Sequence, residues 1–244
     1  MSPLLSRPTN LTSTLPLQSR WQLILILAVT VGAWQFPLGA MALYPFSLLA
    51  TYVHELGHGL TALATGAHFD QLLLYADGSG MAIWRGHPTP LSLALIAAGG
   101  LIGPSLAGAL LLALSRTPRF ARLLLAVQAG LTLIIVLVWV RNLFGVIFLL
   151  AVSALMAGGA RWLSDRLAQF ILQWLAALFC LSWFRDLDYM FSAQATVNGV
   201  VSLSDSAQMA AALWLPYWFW GGLVALTSFV LLVAGLWFAT RPIR

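Results

Sequence analysis

The sequence predicts an all-α polytopic membrane protein with about six or seven transmembrane helices and one short interfacial β-hairpin. Three observations carry that reading. Of the 244 residues 61% are hydrophobic and only 8% are charged, against about a quarter charged in soluble domains. The mean hydropathy is +0.91. The apolar residues fall in long runs, and one stretch breaks that pattern with two short apolar segments around a glycine-rich turn. Lipid is therefore the expected solvent for most of the chain.

In chain order, residues 1–19 are rich in Ser, Thr and Pro and read as a flexible tail. The apolar run after Arg20 has no small-residue cleavage site and reads as a retained anchor. Runs long enough to span lie near 21–37, 39–65, 91–114, 121–140, 143–160, 167–184 and 212–239. The breaks are polar or glycine-rich: Ser115-Arg116-Thr117-Pro118-Arg119, Arg141-Asn142, Gly158-Gly159-Ala160-Arg161 and the stretch 185–211. Pro216 stands near the start of the last run, where a helix tolerates it. Between residues 66 and 90, Leu72-Leu73-Leu74-Tyr75 and Met81-Ala82-Ile83-Trp84 flank Asp77-Gly78-Ser79-Gly80, which is a hairpin signature. An open hairpin leaves edge amides unpaired in hydrocarbon, so it should lie at the interface, in a protein-lined cavity, or against another strand. No internal repeat or linker divides residues 20–244, which read as one membrane-embedded domain.

The charge inventory narrows the function. There are twelve Arg and no Lys, and the net charge is +5. The Arg are scattered between apolar runs, where they meet lipid headgroups; they form no stripe of the kind that binds nucleic acid. Cys180 is the only cysteine, which excludes an internal disulfide and a cysteine-based metal site. It reads as a small buried apolar residue. The six Asp are accompanied by a single Glu, Glu55, and it lies in His54-Glu55-Leu56-Gly57-His58.

His54 and His58 are four residues apart, which on a helix puts both imidazoles on one face, able to share a metal ion. Glu55 projects near the same face and can act as general base on a zinc-bound water, the mechanical content of H-E-x-x-H. Such a cluster in an apolar helix is costly unless it faces a metal or a polar cavity. A catalytic zinc site needs a third protein ligand. A second Glu is excluded, because the chain has none. The extended H-E-x-x-H-x-x-G-x-x-H pattern fails at Thr61 and Ala64. His68, His87 or an Asp remain. Asp186 and Asp188 in Arg185-Asp186-Leu187-Asp188 follow an uncharged apolar run and are placed to meet a metal held by another helix, or to form a hydrated helix end. Asp205, with Gln208 three residues on, reads as a helix cap. In Ala98-Gly99-Gly100-Leu101-Ile102-Gly103-Pro104 the small residues allow close helix packing, and Pro104 leaves a carbonyl unpaired; a loosened helix that admits substrate is the functional alternative.

His54-Glu55-Leu56-Gly57-His58-Gly59 in a membrane run, then a hairpin carrying Asp77-Gly78-Ser79-Gly80, then a glycine-rich helix, resembles the site-2 protease family of intramembrane zinc metallopeptidases. The closer likeness is to a small branch found in bacteria and plants, with a late acidic cluster and a Ser-Asp motif. The resemblance spans 45–110 strongly and 183–206 weakly. It implies a zinc ion held by His54, His58 and a late Asp, with Glu55 as catalytic base. The family's Leu-Asp-Gly triplet is missing; Leu187-Asp188-Tyr189 matches it in part and Asp186 matches the acidic cluster, so both Asp are carried over as metal ligands. The implied function is zinc-dependent intramembrane proteolysis by a multi-pass protein of the bacterial cytoplasmic membrane, acting on membrane-embedded or membrane-adjacent protein substrates. A membrane metal-binding or transport protein and an inactive protease-derived scaffold are the competing readings.

Overall fold

The computed structural model describes the backbone of residues 17–241 and the side chains of residues 21–241. Most of the expected tail, residues 1–16, lies outside the described residues. The chain opens with α1 (Leu17–Trp34) and α2 (Pro37–Ala64), then β1 (His68–Leu74) and β2 (Gly80–Arg85). Four long helices follow: α3 (Pro90–Leu114), α4 (Pro118–Val138), α5 (Leu143–Trp162) and α6 (Asp165–Cys180). Two single-turn helices, α7 (Ser182–Arg185) and α8 (Leu187–Met190), lead to β3 (Gln194–Val197) and β4 (Val200–Leu203). The last elements are α9 (Asp205–Leu213) and α10 (Tyr217–Ala239).

Local chemistry sets these boundaries. Thr89, Thr117, Ser164 and Ser204 cap α3, α4, α6 and α9 by accepting a first-turn amide, and proline occupies the first helical position of α3 and α4. All seven apolar runs are helical, but they do not make seven spans. Among the described residues four helices, α3, α4, α5 and α10, are long and apolar enough to cross a membrane. The total is five if α1 and α2, bent by 114° at their junction, form one broken span. The expected count of six or seven spans is therefore not confirmed. The Pro37 break turns two runs into a bent pair, and α6 has 16 residues, about 24 Å against a hydrocarbon core of about 30 Å.

The core is built around α3, which packs against α2, α6, α9 and α10. Its small residues permit this. A Cβ on Gly108 would lie 2.7 Å from both the amide nitrogen and Sγ of Cys180 on α6, and one on Gly235 of α10 would lie 2.9 Å from Ala109 Cα. Cys180 is fully buried at this contact, as its apolar neighbours suggested.

The first hairpin forms where the sequence placed it, with Phe69 opposite Trp84 and Leu74 opposite Gly80. The chain at 139–142 covers its β1 edge. Leu72 N–H donates to Trp139 O at 2.8 Å and Arg141 N–H to Leu72 O at 3.3 Å. The Asn142 amide accepts from Leu74 N–H and donates to Leu74 O. Arg141-Asn142 is thus the polar partner that lets the hairpin dock on an apolar bundle. A second hairpin, β3–β4, was not anticipated. Its two-residue turn is Asn198-Gly199, both at positive φ (47° and 78°), the arrangement that Asn-Gly favours.

Replacing Asn142 by Ala should lower unfolding stability by about 1–3 kcal/mol, because both backbone groups of Leu74 lose their partner. Denaturant unfolding of the detergent-solubilised protein reads this; an unchanged transition would show that the edge contact does not hold the hairpin.

Candidate metal centre

The site begins on α2. One helical turn brings the Nε2 atoms of His54 and His58 to 3.0 Å, with the rings edge to face. Helix α3 fixes the second imidazole. The Ile96 carbonyl, which can only accept, lies 2.7 Å from His58 Nδ1. The proton therefore resides on Nδ1, and the Nε2 lone pair faces the cavity. This contact requires α2 and α3 almost to touch. A Cβ on Gly57 would collide with Gly99 O, one on Gly99 with the Thr61 hydroxyl, and one on Gly100 with the His58 ring itself. The glycine-rich stretch read from the sequence is thus, at Gly99 and Gly100, a packing device that positions a site residue.

The third group arrives from α9. Asp205 Oδ2 lies 3.0 Å from His54 Nε2 and 3.3 Å from His58 Nε2, and all three residues are buried or nearly so. Asp205 is not the cap of α9. Ser204 takes that role, its hydroxyl accepting from Ala207 N–H at 3.2 Å, which frees the Asp205 carboxylate to turn inward. Among the described residues, His54, His58 and Asp205 form a group that could hold a metal ion. Their donor atoms suit zinc in kind, two imidazole nitrogens and one carboxylate oxygen. They suit it in spacing too, since tetrahedral bonds of about 2.0–2.1 Å place donors about 3.3 Å apart.

Glu55 is buried beside this cluster without belonging to it. Gly80 of β2 stands against its side chain, where a Cβ would lie 2.6 Å from Cγ. A cavity of about 150 Å³ opens here, lined by His54, Glu55, His58 and Asp205, by β2 and by Ser202 and Leu203 of β4. A second chamber of about 190 Å³ adjoins it, lined also by Thr51, Ser79, Arg185 and Asp186. The hairpins meet above both, where Asn198 N–H donates to Ser79 Oγ at 3.2 Å. Ser79 itself is held by Asp77, whose carboxyl it keeps below the usual range by donating its hydroxyl and its amide.

The other sequence candidates lie elsewhere. Asp186 pairs with Arg185, at 2.7 Å through Oδ1 and 3.1 Å through Oδ2, on the wall of the second chamber. Asp188 is exposed on α8. His68 and His87 are exposed at the outer end of the first hairpin. None of these four joins the three-donor cluster. Sequence reasoning ranked Asp205 low because Asp205 and Gln208 imitate a cap; the signal against that was Ser204, an equally good cap one residue earlier.

Against known proteins, a family model described as Peptidase M50B-like matches residues 23–235, most of the chain. No curated protein and no solved structure matches.

Gly100→Val should force the His58 ring off Ile96 O and weaken zinc retention by about 10- to 100-fold while the helical content is kept. Metal content after gel filtration, with circular dichroism alongside, reads both; full zinc retention would show that α3 does not set the imidazole.

Proposed function

The chain belongs to the Peptidase M50B-like family, and on that premise we propose that it is a zinc-dependent endopeptidase that hydrolyses peptide bonds within or beside the membrane. His54, His58 and Asp205 hold the zinc, and Glu55 is the general base. The observation that carries this reading is the convergence of three donors from α2 and α9 on one point beside a buried Glu55. The resemblance to site-2 proteases and the family match agree on a membrane metallopeptidase. The four apolar helices support a multi-pass membrane protein in contact with lipid; the bacterial cytoplasmic membrane is the proposed location.

Zinc supplies Lewis-acid activation of water and of the scissile carbonyl. The chain's own residues do the rest. Glu55 takes a proton from the attacking water and delivers it to the leaving amine. The absence of a side chain at Gly80 leaves room for its carboxylate beside β2. Burial limits bulk water around the base and strengthens its interactions. The cavity is small beside a helix about 10 Å across, which favours an extended substrate segment where it is cut. The 139–142 segment occupies the β1 edge, which leaves the β2 edge, on the cavity wall, to pair with that segment by strand addition.

Glu55→Gln should retain one zinc per chain and lose cleavage of membrane-tethered reporter peptides by about 10²- to 10⁴-fold. Retained cleavage would remove Glu55 from the reaction. In the same metal assay, His54→Ala and Asp205→Ala should lose zinc, whereas Asp186→Ala and Asp188→Ala should keep it. The opposite pattern among the three Asp variants would return the third ligand to the acidic cluster.

A further inference from the structure

One tyrosine beside the cluster has a hydrogen-bonding pattern that a packing role does not explain. The segment after α8 is stapled to the first turn of α9 by two serines. Ser206 Oγ donates to Met190 O at 2.6 Å and Ser204 Oγ to Ser192 O at 2.5 Å. Tyr189 stands next to the first staple and faces Asp205, which lies between the two serines. Its hydroxyl accepts from Asp205 N–H at 3.2 Å and donates to Asp205 Oδ2 at 2.9 Å. Its ring faces His54 edge-on, 6.2 Å between centroids. One side chain therefore touches two of the three donor residues and the cavity itself.

The choice of oxygen matters. Oδ2 is the atom that faces both imidazoles, whereas Oδ1 faces Gln208 Nε2 at 3.3 Å. A carboxylate turns easily about its terminal torsion, so a ligand that must present one oxygen needs an external hold. The Tyr189 hydroxyl has one proton, and it points at Oδ2. The hydroxyl is in turn oriented by the backbone amide of the same aspartate, so a single residue supplies both ends of the reference frame.

We propose that Tyr189 is a positioning residue of the metal centre: it selects Oδ2 of Asp205 as the ligand oxygen and holds it against the two imidazoles. The proposal rests on the reading of His54, His58 and Asp205 as the ligand set. It also gives the segment singled out around Asp186 and Asp188 a part in the site that runs through the tyrosine.

The test uses the full chain in detergent, with Zn²⁺ titrated against a chromophoric chelator and Co²⁺ absorption recorded on the same monodisperse samples. Tyr189→Phe keeps the ring on His54 and removes only the oxygen. It should weaken zinc by about 10- to 100-fold and shift the Co²⁺ bands, since the carboxylate is free to turn. Gln208→Leu, which removes the donor to Oδ1 and to Leu203 O but leaves Oδ2 on the tyrosine, should cost less affinity than Tyr189→Phe and shift the bands less. Equal affinity and identical bands in Tyr189→Phe and wild type would overturn the proposal, as would equal losses in Tyr189→Phe and Gln208→Leu. Failure of the underlying ligand set is separately visible: Asp205→Ala would then bind zinc as tightly as the wild type.

Discussion

The near-contact of α2 with α3 is the constraint on which the site depends. Three glycines, Gly57, Gly99 and Gly100, remove the side chains that would otherwise hold the two helices apart. Only at that separation can Ile96 O reach His58 Nδ1 and fix which nitrogen faces the cavity. In an apolar bundle the helices gain little from excluding water, so close approach of small residues and a few internal polar contacts must supply the association. Here both fall at the same place. The residues that let the helices pack are the ones that aim the imidazole.

The second half of the site has a different origin. Asp205 lies far along the chain from His54 and is returned to it by the β3–β4 hairpin, whose Asn198-Gly199 turn reverses the chain between Tyr189 and Asp205. The serine staples at 204 and 206 then lock that return. Both hairpins serve the cavity as walls. The first borrows residues 139–142, whereas the second joins the first at its tip through Asn198 and Ser79. An apolar bundle thereby carries an extended-chain environment where the proposed chemistry needs one.

These particulars explain what could be read from the sequence. The apolar runs, the His54–His58 face and the Asp77-Gly78-Ser79-Gly80 hairpin are local patterns, and each is found in the structure as an element of the expected type. The bend between α1 and α2 was signalled only by Pro37, and hydropathy cannot distinguish a bent pair from two spans. The second hairpin has a legible mark, Asn-Gly between Thr196-Val197 and Val200-Val201, but it lies within a long polar break whose flanking apolar runs are no more than two residues each. Among Asp186, Asp188 and Asp205 the one local mark was Ser204, which frees Asp205 from the cap; where each carboxylate points depends on how the chain returns from α8 to α9. Tyr189 was hidden for the same reason: its role comes from a partner sixteen residues away.

The central claim is that one zinc ion is held by two imidazoles and one carboxylate in this bundle. X-ray absorption at the zinc edge of the purified, zinc-loaded protein tests it most directly. The account predicts nitrogen and oxygen donors at about 2.0–2.1 Å with outer-shell scattering from two imidazoles. A first shell lacking imidazole, or one containing sulfur at about 2.3 Å, would contradict it.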